Sequence, residues 1–182
     1  MLSTAEKKAI QQGGEITRQI EFNDPANNRL LKGKLRIIKT ENPQTLNFVE
    51  VGEWVSHGHY SSSDHTSDLE FRDSLVYDKN GNALSRRKFE RHGELFEMKE
   101  EWSSELVDGR FLQHVRVYED GVLLAEYTRN VVNYLEPMSD SQKSKIPIGT
   151  DKVYFSNGNL ACIRVYDDKG NLVSEEKHQR PH

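Results

Sequence analysis

VYFSNGNLACIRVYDDKGNL, Val153 to Leu172, writes one short phrase twice. Tyr154 leads to Gly158 and Leu160; twelve residues on, Tyr166 leads to Gly170 and Leu172. An aromatic, a polar turn with glycine, then a leucine is what a tight hairpin needs. Glycine takes the positive φ of the turn without a Cβ clash, and the flanking residues face each other across paired strands. Between the two turns, Ala161, Ile163 and Val165 alternate with Cys162 and Arg164, the period of two that marks a half-buried strand.

The same punctuation runs back through the chain as KNGN (79–82), RHGE (91–94), VDGR (107–110), EDGV (119–122), SNGN (156–159) and DKGN (168–171). Their glycines stand at 81, 93, 109, 121, 158 and 170, in steps of 12, 16, 12, 37 and 12. Three equal steps indicate a repeated hairpin unit. Alternating apolar sets lie between the turns: Leu69, Phe71, Leu75 and Tyr77; Phe96, Met98 and Trp102; Phe111, Val115 and Val117. The reading is an all-β chain, an open twisted antiparallel meander of roughly eight to ten strands. Ser3 or Thr4 caps a short helix or lead-in within 1–14, with Glu6 in its first turn and Gly13-Gly14 as its stop. Residues 15–182 form one β domain, interrupted at 130–152 by a segment with two prolines and a polar middle. The alternative architecture is an up-and-down, lipocalin-like barrel, whose closure removes exposed edges.

Composition narrows the function classes. Apolar residues make up 35% of the 182, and mean hydropathy is −0.80, which favours a sheet with one wet face over a thick enclosed core. Charged residues reach 30% but nearly cancel, to a net −4, so a general nucleic-acid binder is not expected. No apolar run approaches a membrane span. With Met1 as the native start the protein is expected in the cytoplasm; a chain trimmed of its export signal is the alternative. The single cysteine, Cys162, reads as a packed small hydrophobe.

YFSNGNLACIRVYDDKGNLVSEEKH, with GEWVSHGHY (52–60) and the looser copies YDKNGNALSRRKFERHGEL and YEDGVLLAEY, resembles MORN-type repeats, in particular the variant repeat of bacterial antitoxin-type proteins. The family's second glycine, after the turn leucine, has no counterpart beyond Gly158 or Gly170. The resemblance implies a binding or scaffolding surface, with an antitoxin or immunity role, and brings no catalytic residue.

Two clusters are candidate sites. In SHGHYSSSDHTSD, His57 and His59 stand two apart beside Trp54 and Tyr60, and His65 with Asp64 or Asp68 completes a nitrogen–oxygen metal set. The plain alternative is a serine-rich polar loop. In SRRKFERH, Arg86, Arg87, Lys88 and Arg91 surround Phe89. Cross-strand pairing with Glu94, Glu97, Glu100 and Glu101 as a surface ion-pair ladder is the first reading, an acidic protein partner the second, and a phosphate or single-stranded base gripped around the aromatic the third. The chain has no G-x-S-x-G elbow, no phosphate-cradling glycine loop and no H-E-x-x-H, and no cofactor is implied.

Three functions follow. The first is a non-enzymatic module that binds another protein, such as a toxin, through Trp54, His57, His59, Tyr60, Arg86, Arg87, Phe89 and Arg91. The second is a barrel holding a small apolar ligand. The third is a metal-dependent hydrolase built on His57, His59 and His65. Exposed strand edges also allow a homodimer.

Overall fold

A computed structural model describes residues 2–24, 29–41, 45–61, 68–131 and 146–180; the side chains of Asp24, Tyr60, Ser61 and Asp68 lie outside the description. The described residues form one helix and eleven strands: α1 (Thr4–Gln11), β1 (Ile16–Asp24), β2 (Arg29–Lys39), β3 (Leu46–Ser61), β4 (Asp68–Tyr77), β5 (Ala83–His92), β6 (Leu95–Val107), β7 (Arg110–Glu119), β8 (Val122–Val131), β9 (Ile146–Tyr154), β10 (Leu160–Tyr166) and β11 (Leu172–Lys177). The chain divides into two compact units, Met1–Ala83 and Leu84–His182. Strand order follows the chain within each, and the registers are antiparallel. The expected open meander is the fold, with one or more strands beyond the number the turns suggested. The barrel alternative is not: among the described residues β1 pairs with β2 and β11 with β10, and no strand pairing joins β1 to β11. The anticipated interruption at 130–152 is strand at both ends, in β8 and β9, while 132–145 lies outside the described residues. Among the described residues no helix is long and apolar enough to cross a membrane.

In the first unit the short helix caps as its sequence indicates. Ser3 Oγ accepts from the Glu6 amide and the Glu6 carboxylate accepts from the Ser3 amide, a reciprocal capping box. Gly13, at φ +88°, ends it. An eight-residue helix is marginal alone, so docking must hold it. Ile10 is fully buried, and Glu6 takes the Arg18 guanidinium of β1. That guanidinium, with the Ser3 donors, holds the Glu6 carboxyl down to about 2. A depressed carboxyl contributes stability above its ordinary 4.5, and the contribution disappears as pH falls through about 2. Between these values we expect the melting temperature of the chain to fall with pH, and Glu6→Gln to flatten that segment of the curve. An unchanged slope in the variant would remove the ion pair from the account.

The core of the first unit lies on one face of β1–β4. Ile37, Trp54, Ser56, Phe71 and Asp73 are buried there, and the registers Trp54↔Leu75, Ser56↔Asp73 and Gly58↔Phe71 set them in cross-strand rows. A bulge between Lys32 and Lys34 puts extra residues of β3 opposite Gly33. There the Trp54 ring lies against the bare glycine and its indole N–H donates to the Lys34 carbonyl at 3.1 Å.

The second unit is built the same way. Trp102, Val115, Gln113, Arg129 and Cys162 are buried on one face. The registers Trp102↔Val115 and Val115↔Tyr127 carry the row over three strands. On β10 the burial differs from the sequence pattern. Cys162, opposite Val153, is buried, while Ala161, Ile163 and Val165 are half-buried. A bulge between Leu160 and Cys162 turns that strand, so the smaller thiol sits inward.

The repeated phrase proves to be a repeated loop. Asp78–Asn82, Phe155–Asn159 and Asp167–Asn171 each close with an amide of the first residue on the carbonyl of the last, and with the glycine amide on the carbonyl of the first. In the outer two, an aspartate accepts from amides two and four residues on and from the asparagine side chain. Asp108-Gly109 and Asp120-Gly121 make the shorter turns, all four residues at positive φ.

Candidate functional site

Strand parity divides the residues that the sequence groups together. On β3, His57 and His59 project from the face opposite the one that buries Trp54. Their ring centroids are 6.3 Å apart, and His57 Nε2 is bonded to the Glu70 carboxylate of β4. The structure therefore brings His57, His59 and Glu70 together and leaves Trp54 behind the sheet. His65, Asp64 and the Tyr60 side chain lie outside the described residues, as does the Asp68 side chain. A group of three that does bring ligand-type atoms within 4.8 Å of one another is His92, Glu97 and Asp120, at one end of the second unit.

The basic cluster is divided too. Arg86 is on the core side of β5, where its Nη1 is 3.5 Å from Glu100 Oε1. Lys88 pairs with Glu90 of its own strand at 2.7 Å. A bulge follows at Lys88/Phe89, setting Phe89 opposite Met98 and Arg91 opposite Phe96. The extra residue of that bulge, Lys99, is on β6, so β5 alternates without a break: Arg86 and Lys88 share the core side, and Arg87, opposite Glu101, shares the other face with Phe89 and Arg91.

That second face carries a feature the sequence only partly anticipates. Register places Arg87, Glu101, Arg116, Glu126 and Lys152 side by side across β5, β6, β7, β8 and β9, alternating in sign. Two residues along each strand, on the same face, runs a row of smaller polar groups: Ser85, Ser103, His114 and Thr128. Small side chains beside long ones leave a trough of about 480 Å³, lined also by Thr150.

Its electrostatics follow from the pairings. Arg116 lies between two carboxylates, with Nη1 3.5 Å from Glu101 Oε1 and Nε 3.8 Å from Glu126 Oε2. Lys152 Nζ reaches Glu126 Oε1 at 2.9 Å. Tyr118 donates its hydroxyl to Glu101 and Tyr154 donates its own to Glu126, each at 2.8 Å. The Lys152 ammonium, then the Tyr154 hydroxyl, holds the Glu126 carboxyl below its ordinary range. Burial raises the Tyr154 phenol, and its hydrogen bond to Glu126 raises it further. His114 is fixed at both nitrogens, Nδ1 to Thr128 Oγ1 and Nε2 to Glu105 Oε1, each at 3.0 Å.

A smaller apolar groove of about 310 Å³ lies in the first unit, between α1 and the sheet, lined by Leu2, Ile20, Leu35, Ile37 and Phe48 with Lys7 and Arg18. Arg116, Glu126, Lys152, His114 and the two tyrosines are site residues that sequence reasoning missed. Their spacing in the chain carries no motif; register alone assembles them. No family model, curated protein or solved structure matches the chain.

Proposed function

We propose that this chain is a non-enzymatic protein-binding module that presents the polar face of its second unit. The observation that carries the reading is the trough over β5–β9, a recess built from five consecutive strands and floored by small hydroxyl-bearing side chains. Its two carboxylates are engaged by cations and phenols, and Glu126 is held in the direction opposite to that of a general acid. Groups fixed in this way present a pattern; they are not poised to move protons. The resemblance to MORN-type antitoxin repeats points the same way, toward an antitoxin, immunity or scaffolding role with another protein, such as a toxin, as partner.

A steric block tests the reading whatever the partner's chemistry. Ser103 is exposed on the trough floor opposite Ser85 and His114. Ser103→Trp fills the recess without changing charge. A partner that co-purifies with the wild-type chain from its own host, and is identified by native mass spectrometry, is expected to bind the variant about tenfold or more weakly. Equal retention by the variant would place the contact elsewhere and overturn the reading.

A further inference from the structure

Glu101 stands directly between Arg87 on β5 and Arg116 on β7. It is committed to one side: its Oε1 takes the Tyr118 hydroxyl at 2.8 Å and faces Arg116 at 3.5 Å. Arg87 is exposed and, among the described residues, has neither a hydrogen bond nor an ion pair. The neighbouring hydroxyls of Ser85 and Ser103, two residues along on the same face, are equally uncommitted. A planar guanidinium fork beside two free hydroxyls is complementary to a carboxylate, which accepts two parallel N–H bonds and further donors at its remaining lone pairs.

The rest of the row sets the spacing. Cations stand on β5, β7 and β9, and carboxylates on the strands between. Strands about 4.8 Å apart put successive cations roughly 10 Å from one another, which an extended peptide covers in about three residues. A nucleic-acid backbone, charged at every unit, would meet Glu101 and Glu126 as well, at a like-charge cost. We infer that the trough takes an extended acidic segment of the partner protein lying across the strands, its carboxylates about three residues apart, with Arg87 as the anchor. This rests on the reading of the trough as a protein-binding surface and adds the chemistry of what enters it.

The probe is a labelled peptide of Glu-Ser-Ser repeated three times, titrated by fluorescence anisotropy into the full chain, with Lys-Ser-Ser repeats and a single-stranded oligothymidylate as competitors. The expected result is saturable binding below about 1 mM, weakened about tenfold or more by Arg87→Glu. Raising ionic strength from about 0.05 to about 0.5 M should weaken it too, and Arg87→Lys should fall between because it keeps the charge and loses the fork. Arg87 is exposed and uncommitted, so these variants should retain the wild-type circular dichroism, with Arg87→Glu melting slightly lower because it then faces Glu101. No binding by about 1 mM, equal binding by Arg87→Glu, or tighter binding of the lysine peptide or the oligonucleotide would overturn the inference. The two readings fail separately. If the glutamate peptide fails while Ser103→Trp still releases the protein partner, the module stands without this specificity; if Ser103→Trp retains the partner, the reading beneath it falls.

Discussion

Replacing Trp54 with alanine should cost the first unit about 3–5 kcal/mol, a large share of the stability of any small domain. The ring is 7% exposed, and its buried apolar companions among the described residues are few: Ile10, Ile37, Phe71 and Ala83. A sheet covered by one short helix has little other apolar surface to compensate for a lost indole. The substitution also leaves the Lys34 carbonyl without the part-buried N–H it accepts at 3.1 Å, a smaller addition to the loss. Gly33 is the other half of the same contact. An added Cβ there would sit 2.1 Å from Trp54 Cδ2, so the ring or the β2–β3 bulge must move. Gly33→Ala is therefore expected to cost about 1–3 kcal/mol by overpacking. Because both substitutions disturb one contact, the double variant should cost less than the sum. Denaturant unfolding followed by circular dichroism measures all three. A cost under about 1 kcal/mol for Trp54→Ala would mean the indole is not a core group.

The second large effect comes from the repeated loop, which supplies its own control. Gly81, Gly158 and Gly170 occupy the same place in three loops, at φ +86°, +82° and +84°. A side chain pays the left-handed backbone cost at each, about 1–2 kcal/mol. The surroundings differ. At Gly158 nothing lies within 4 Å of an added Cβ, whereas at Gly170 it would lie 2.4 Å from Ile146 Cγ2 and 3.4 Å from the Pro147 carbonyl, and at Gly81 2.6 Å from Val49 Cγ1. Gly158→Ala should therefore show the backbone cost alone. Gly170→Ala and Gly81→Ala should add a further 1–3 kcal/mol or so of steric cost. Equal losses at all three positions would mean the loops do not pack against β9 and β3 as described.

Why the sequence reads clearly in some places and not in others can be traced to particular residues. The Asn-Gly and Asp-Gly turns mark the hairpins because positive φ is a local demand that few residues meet. The turn at Asp108-Gly109 even fixes Glu101 against Arg116, since a two-residue loop determines every pair that follows. The next turn, at Asp120-Gly121, would by the same count set Arg116 against Ala125. The bulge after Val117 moves it to Glu126 instead, and a bulge leaves little trace in composition. Lys152 follows residues 132–145, across which no counting of turn residues gives a register. The histidine cluster misleads for a related reason. Nearness in the chain suggests that Trp54, His57 and His59 act together, but an odd separation on a strand sends the tryptophan to the opposite face. On β10 counting apolar residues chose the face of Ala161, Ile163 and Val165, while the bulge and the opposing Val153 put Cys162 inside.

Hydroxyl-radical footprinting of the chain with and without its co-purified partner tests the central claim most directly, because it reads side chains and not amides already bonded in the sheet. Protection is expected at His114 and Tyr154, in or beside the trough, with His57, His59 and Phe48 of the first unit unchanged. Protection confined to the first unit, with the residues of the trough as reactive as in the free chain, would contradict it.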